Sequence, residues 1–396
     1  MATADSISGI TVPSAPPGAE LLVLLAAMTP EQLERVLANL TASFPAEGLL
    51  IASPDALPAD SYPSLRIVAA PAASASWTLT AADFVNAYQL ADKNKARAIL
   101  MLGPESSLLG PSAIRLLADA VLTNTTDLAV PCYELPPHAG LVTSAILYPL
   151  TRALFACRVR FPLAAELGLS LRMAERLAGV AHRFTTLSQG EALLWPVNEA
   201  TVAKFTIDQF DVGPRVRPQH AGPELNTMLP LVTGSLFSDI DAKATFWQRF
   251  RQLPPAPDPI PQTPTTDVAA DIAPMLSAFR LAYSNLHEIW ALVLPPNSLL
   301  ELKRLSTTDA ATFRMSESLW ARIVYDFLLA YRLRTINRGH LLGALIPLYL
   351  AWVASHINIV ASGTSIESHI EAVAAAFEAE KSYIISRWRW PDRFNP

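Results

Sequence analysis

Ala129–Ser170 reads AVPCYELPPHAGLVTSAILYPLTRALFACRVRFPLAAELGLS, and the fold class turns on this stretch. It opens as an apolar strand that ends at Pro131-Cys132-Tyr133. Pro136-Pro137-His138-Ala139-Gly140 then supplies turn chemistry. Val142, Ala145, Ile146, Pro149, Leu150 and Leu154 follow at helical spacing, which predicts an apolar helix. The stretch closes on Phe161-Pro162 and a predicted loop, Ala164-Ala165-Glu166-Leu167-Gly168.

Upstream of it, strand and helix patterns alternate. Strands are predicted at Glu20-LLVLLA, Gly48-LLIAS, Leu65-RIVAA, Ala98-ILML and Asp127-LAV. Helices are predicted over 30–43, 80–92 and 112–122, the first opened by Thr29-Pro30-Glu31. Such alternation predicts an α/β layer with a mostly parallel sheet, and ligand chemistry at the carboxyl ends of its strands. The loops after Ala26, Ser53, Leu102 and Pro131 are therefore the places to search.

Downstream the pattern changes. Helices are predicted over 193–205 and 229–250, followed by six prolines between Leu253 and Thr266 that suit a semi-rigid strap. From Ile272 to Tyr383 the pattern is helical throughout. The expected organisation is a flexible tail at 1–19, an α/β domain at 20–235, a helix and Pro-rich connector at 236–271, and an all-α domain at 272–396.

With 51% hydrophobic and 16% charged residues, the 396-residue chain has the composition of a well-buried globular protein. A formal net charge of -5 argues against a nucleic-acid partner. Cys132 and Cys157 lie in apolar surroundings, as free thiols do in a reducing cytoplasm, and no Cys/His spacing suggests zinc. The first eighteen residues lack Lys and Arg, so a loose tail is expected rather than a secretory signal. Leu341–Val360 has membrane length, but Pro347, Trp352, Ser355, His356 and Asn358 within it favour a buried core helix over a span.

The order of the opening stretch resembles GT-A-type (family 2-like) nucleotide-sugar glycosyltransferases, in particular the glucosyl-3-phosphoglycerate synthase group. That group reads "YPL-RALF" where this chain has Tyr148-Pro149-Leu150-Thr151-Arg152-Ala153-Leu154-Phe155. Leu319–Phe327 and Leu345–Leu350 look like its C-terminal helical region. The resemblance implies a GT-A (Rossmann-like) sheet flanked by helices, then an all-α domain. It also implies a nucleotide-sugar donor, a small hydroxyl acceptor, and Mn2+ or Mg2+ on an Asp-X-Asp motif.

Motif by motif, this chain departs from the pattern. The Asp-X-Asp positions hold Gly103 and Glu105, so Glu105 is either the remaining metal and donor ligand or a solvated loop acid. The Asp that holds the base or ribose corresponds to Asp55 only with a shifted loop. The Gly-Lys-Gly diphosphate loop becomes Ala73-Ser74-Ala75-Ser76-Trp77. The Gly-Gly-Asp of the acceptor side becomes Ala164-Ala165-Glu166, which makes Glu166 the catalytic candidate. A Thr-Asp ahead of a later helix becomes Ala192-Leu193, with Glu191 and Glu199 nearby. Pro218-Gln219-His220 matches the Lys-X-His that completes the metal shell; His220 is a ligand or a loop histidine with Arg215 and Arg217 beside it.

Two readings follow. One is a divergent transferase moving a sugar from a nucleotide-sugar to a small hydroxyl acceptor. The other is an inactive scaffold or regulatory partner, joined to a second copy or to an active paralogue. The Arg/Trp tail, Arg387-Trp388-Arg389-Trp390, suits cation–π packing onto the domain or an oligomer contact. Arg332, Arg334 and Arg338 around Tyr331 form either a solvated face or a site for an anionic acceptor.

Overall fold

The structure, a computed structural model, describes residues 19–55, 62–71, 77–136, 138–187, 189, 191–215, 224–249 and 270–390. Seven strands form one sheet: β1 Leu21–Leu25, β2 Leu49–Ser53, β3 Arg66–Ala69, β4 Ala98–Leu102, β5 Leu128–Glu134, β6 Leu167–Ser170 and β7 Ile207–Pro214. Their order is β3-β2-β1-β4-β6-β5-β7. All run parallel except β6, which is antiparallel to both β4 and β5.

The central strands are apolar at every position because both faces are covered. On one face, Leu21, Val23 and Leu25 of β1 meet α1 (Pro30–Ser43) and α3 (Pro111–Leu122). Leu33, Val36, Leu37 and Leu40 form the buried stripe of α1, each contributing roughly 1.5–3 kcal/mol on burial. The N-terminus of α1 is fixed by a capping box between Thr29 and Gln32, with Pro30 in the first turn. On the other face, Leu22 and Leu24 meet α2 (Ala81–Asn94) and α5 (Leu171–Thr185).

The opening stretch departs from its sequence reading at its end. Leu167–Ser170, expected to begin within a loop, is β6, paired through Leu167↔Met101 and Ala98↔Ser170. A four-residue strand is too short to show a periodicity. Gly168 makes it fit, because an added Cβ would lie 2.3 Å from the Leu117 carbonyl oxygen. The helix before it is as expected, with one refinement. A π-helical turn, Thr143–Leu147, leads into α4 (Tyr148–Phe155), and Pro149 sits in the first turn of α4, where a missing N–H is tolerated.

Two further elements stand outside the sequence expectations: β7, and α5, although the buried Met173, Ala174, Leu177, Ala178 and Ala181 of α5 fall at helical spacing; α6 (Pro196–Ala203) is shorter than the predicted 193–205 helix. The helix predicted over 229–250 begins earlier, as α7 (Leu225–Ala242), and continues as α8 (Ala244–Trp247). The helical region comprises α9 Ala273–Asn285, α10 His287–Ala291, α11 Pro296–Ser306, α12 Glu317–Leu333, α13 Arg338–Ala361, α14 Ile366–Ala379 and α15 Lys381–Arg389. Residues 1–18, the six-proline segment and residues 391–396 lie outside the described residues.

One apolar core runs from the α2/α5 face of the sheet into these helices. Polar pins cross the same boundary. Trp320 donates its indole N–H to the Ala145 carbonyl (2.8 Å), and buried Arg152 of α4 donates to Glu378 of α14 (2.8 Å) and also to Glu371. Among the described residues α13 alone has the length and composition to cross a membrane. Most of its apolar window is buried here against α7, α9 and α12. The expected buried core helix is what the structure shows.

Candidate functional site

The carboxyl edge of the sheet gathers four side chains from four neighbouring strands. Glu105 follows β4, Glu166 precedes the reversed strand β6, Tyr133 lies near the end of β5, and Arg215 follows β7. Because β6 runs backwards, its start lies beside the ends of its neighbours, which brings Glu166 to this edge. The Arg215 backbone N–H donates to the Glu134 carbonyl at 2.9 Å, extending the β7 ladder by one residue and fixing the base of the side chain.

Arg215 ties the group together. Its Nε–H donates to Glu105 Oε2 at 2.6 Å. Its two terminal nitrogens donate to the two oxygens of Glu166, at 3.0 and 3.1 Å, a bidentate pairing. The guanidinium lies 4.4 Å from the Tyr133 ring centroid, and the Tyr133 hydroxyl donates to Glu166 Oε2. Glu166 is 0% exposed and therefore takes all its solvation from these donors.

The electrostatics agree with that geometry. Burial works against the Arg215 charge, but Glu166, Tyr133 and Glu105 together outweigh it and hold the guanidinium more firmly protonated than usual. Burial first, and the Glu166 carboxylate second, raise the Tyr133 phenol well above its ordinary value, so it remains a donor. Gly103 is required by close approach: a Cβ there would meet the Ala165 Cβ at 2.6 Å and Glu166 Oε1 at 3.3 Å.

Asp55 follows β2, two strands from β4 in the sheet. It accepts a hydrogen bond from the Met28 N–H at 3.2 Å, the only one its carboxylate accepts among the described residues. It thus lies at the opposite side of the β1/β4 junction, where the strand order reverses. His220 and Ala73–Ser76 lie outside the described residues.

Sequence reading found Glu105 and Glu166 but not what joins them. In the sequence Arg215 stands only as a neighbour of His220 and Tyr133 only as the aromatic end of a strand. The signal available was weak: an arginine just after an unrecognised strand. Glu199, given no role, belongs to a separate buried network, accepting from Lys243 (2.6 Å) and Arg176 (3.2 Å).

Arg332 and Arg387 pack as structural elements. Arg332 lies 4.1 Å from the Trp388 ring centroid, Trp388 meets Trp247 edge-on, and Arg387 pairs with buried Asp326 at 2.8 Å. The tail through Trp388 thus follows the cation–π expectation. A separate apolar cavity of about 410 Å³ opens between the β5–α4 turn and helices α9 and α13. Trp77, Leu163 and Tyr349 are in its wall, and no Asp, Glu, Lys or Arg is among its described lining residues.

Among the described residues no group of three or more His, Cys, Asp or Glu side chains is placed to hold a metal ion. Oε2 of Glu105 and both oxygens of Glu166 already accept from the Arg215 guanidinium. A divalent cation would have to displace the guanidinium from three of these four carboxylate oxygens, and with no third acidic, His or Cys ligand among the described residues the described donor set does not fit one.

The fold defines an α/β protein with a mixed seven-stranded sheet and a helical C-terminal region. The solved structures similar to it include glucosyl-3-phosphoglycerate synthase from Mycobacterium tuberculosis with phosphoglyceric acid (14% identity, TM-score 0.36, 57% of this chain and 80% of that one). The same enzyme with Mn2+, UDP-glucose and phosphoglyceric acid gives 15% identity, a TM-score of 0.38, and 57% and 79% coverage. A structure described as a mycobacterial protein gives 13%, 0.37, and 57% and 74%. At these values the likeness carries no argument about activity. No family model matches the chain, and no curated protein matches it.

Proposed function

We propose that this chain is a glycosyltransferase-like protein that does not run metal-dependent sugar transfer, and that it serves as a scaffold or regulatory partner. The observation that carries the reading is the Arg215 clamp on Glu105 and Glu166. Among the described residues, two carboxylates and one guanidinium leave the site with a net negative charge. A diphosphate leaving group needs the opposite. Glu166 accepts from three donors on its two oxygens and has no exposure, so an acceptor hydroxyl cannot reach it without displacing the clamp. The buried free thiols Cys132 and Cys157 suit a reducing compartment, and the cytoplasm is the proposed location.

The test is a thermal-shift and calorimetric screen of UDP-, GDP- and ADP-glucose, each with and without manganese. Ligand that binds only the native state raises the melting temperature by mass action. The expected result is no manganese-dependent shift and no glucose release. A manganese-dependent shift that Glu105→Gln removes would overturn the proposal.

Asp55 favours a second reading, metal-independent transfer of a sugar from a nucleotide-sugar to a small hydroxyl acceptor. Its carboxylate has lone pairs to spare at the junction where a ribose could be held. This reading expects nucleotide binding without metal that Asp55→Asn abolishes, and sugar transfer under the same conditions. Binding without transfer would sink it.

A further inference from the structure

On the α2/α5 face of the sheet, helices α5, α6, α7, α12 and α13 enclose a cleft of about 860 Å³. It shares no lining residue with the sheet-edge clamp. The volume is that of a small-molecule site. One face of α5 lines it, with Arg176, Gly179, Val180 and Arg183 at i, i+3, i+4 and i+7. Leu231 of α7 and Leu342 of α13 supply apolar wall opposite, and Leu193, ahead of α6, also lines it.

The charges divide into two groups. Arg176, Lys243, Glu199 and Asp239 pair among themselves, two cations with two anions. Arg183 and Arg338 also line the cleft, and neither makes an ion pair among the described residues. Arg338 is braced rather than neutralised: its Nε–H donates to the Tyr331 carbonyl at 3.2 Å, and its guanidinium lies 4.0 Å from the Tyr331 ring centroid. Glu175, the remaining acid in the lining, stands eight residues from Arg183, about 12 Å along α5. Space is held open at Gly179, where an added Cβ would meet nothing within 4 Å.

We propose that this cleft binds an anionic amphiphile, a phosphate or carboxylate head on an apolar body, with Arg183 and Arg338 receiving the head. Two unpaired guanidiniums select an anion, and the leucine walls select a body that water rejects. The proposal is independent of the sheet-edge reading, since no residue is common to both.

The probes are dodecyl phosphate and dodecanoate below their micellar concentrations, with dodecanol and inorganic phosphate as the body and head alone. Calorimetry of the full chain is expected to show one site for at least one amphiphile, which identifies the head, with binding by dodecanol and phosphate at least about tenfold weaker. Arg183→Gln and Arg338→Gln should each weaken it about tenfold, the loss of one charge-assisted hydrogen bond. Arg97→Gln, an exposed arginine outside the cleft, is the charge control and should change nothing. Gly179→Phe fills open space, so it should abolish binding while the circular dichroism spectrum and Tm stay those of the parent. No saturable binding of either amphiphile, equal binding of dodecanol, or binding that survives Gly179→Phe would overturn the proposal.

Discussion

Replacing Arg215 by alanine tests the physical basis of the sheet-edge site. The guanidinium makes three charge-assisted hydrogen bonds to two carboxylates, and its side chain is 13% exposed, with Glu166 at 1% and Glu105 at 17%. Removing it leaves Glu166 with the Tyr133 hydroxyl as its one remaining side-chain donor. Removing one partner of a buried pair costs about 3–5 kcal/mol, because the other charge stays behind uncompensated. Urea unfolding at pH 7 should therefore show a lower midpoint at unchanged slope. Glu105→Gln should cost only about 1 kcal/mol, since Arg215 keeps its bidentate partner. The combined variant Arg215→Met, Glu166→Leu, Tyr133→Phe removes every orphaned group at once and should recover most of the loss. If Arg215→Ala costs no more than about 1 kcal/mol, as an exposed ion pair would, the clamp is not a buried pair and the reasoning fails.

Four further outcomes are expected. His356 is fully buried, bonded to His369 (2.7 Å), and held neutral down to about 3 by burial and by the nearby charges of His369, His138 and Arg160. Its folded value lies below the unfolded one, so its stability contribution is complete above about pH 6.5 and falls with acid, by about 2–3 kcal/mol between pH 6.5 and 4.5. The Tm of His356→Asn should lose that acid slope; an unchanged slope would refute the assignment. Asp326, pushed up to about 7 by burial despite Arg387 and Tyr383, has the opposite sign. Its effect is a loss of stability as pH rises from about 4 to 7, which Asp326→Asn should flatten in urea titrations at several pH values. Gly103→Ala drives a Cβ into Ala165 and should destabilise the fold by about 1–3 kcal/mol, read as a lower urea midpoint, with no loss predicted for Gly110→Ala, where the space is open. Arg152→Ala removes the partner of Glu378 at the sheet–helix boundary, while Glu371 keeps Tyr148 and Arg158, and should cost about 3 kcal/mol, with faster proteolysis of α14. Parental proteolysis would count against that role.

The sequence alone determined whatever depends on neighbours close in the chain. β1, β2 and β4 were legible because buried parallel strands are continuous apolar runs, and α1 was placed at 30–43 because its cap and stripe are both local. The long apolar α13 was legible as a core helix from the polar residues inside it. β6 and β7 were not, because a four-residue strand and a half-exposed edge strand carry no decisive period, whereas α5, though not expected, has its buried stripe at helical spacing. The candidate site divides the same way. Glu105 and Glu166 could be found as acids after strand ends, yet their joint partner lies 110 and 49 residues away in the chain. Only the strand order, with β6 inserted backwards between β4 and β5, sets Arg215 between them. Sheet order is chosen by long-range packing that no local pattern encodes, so two acids that read as open ligands became a closed ion cluster only in three dimensions.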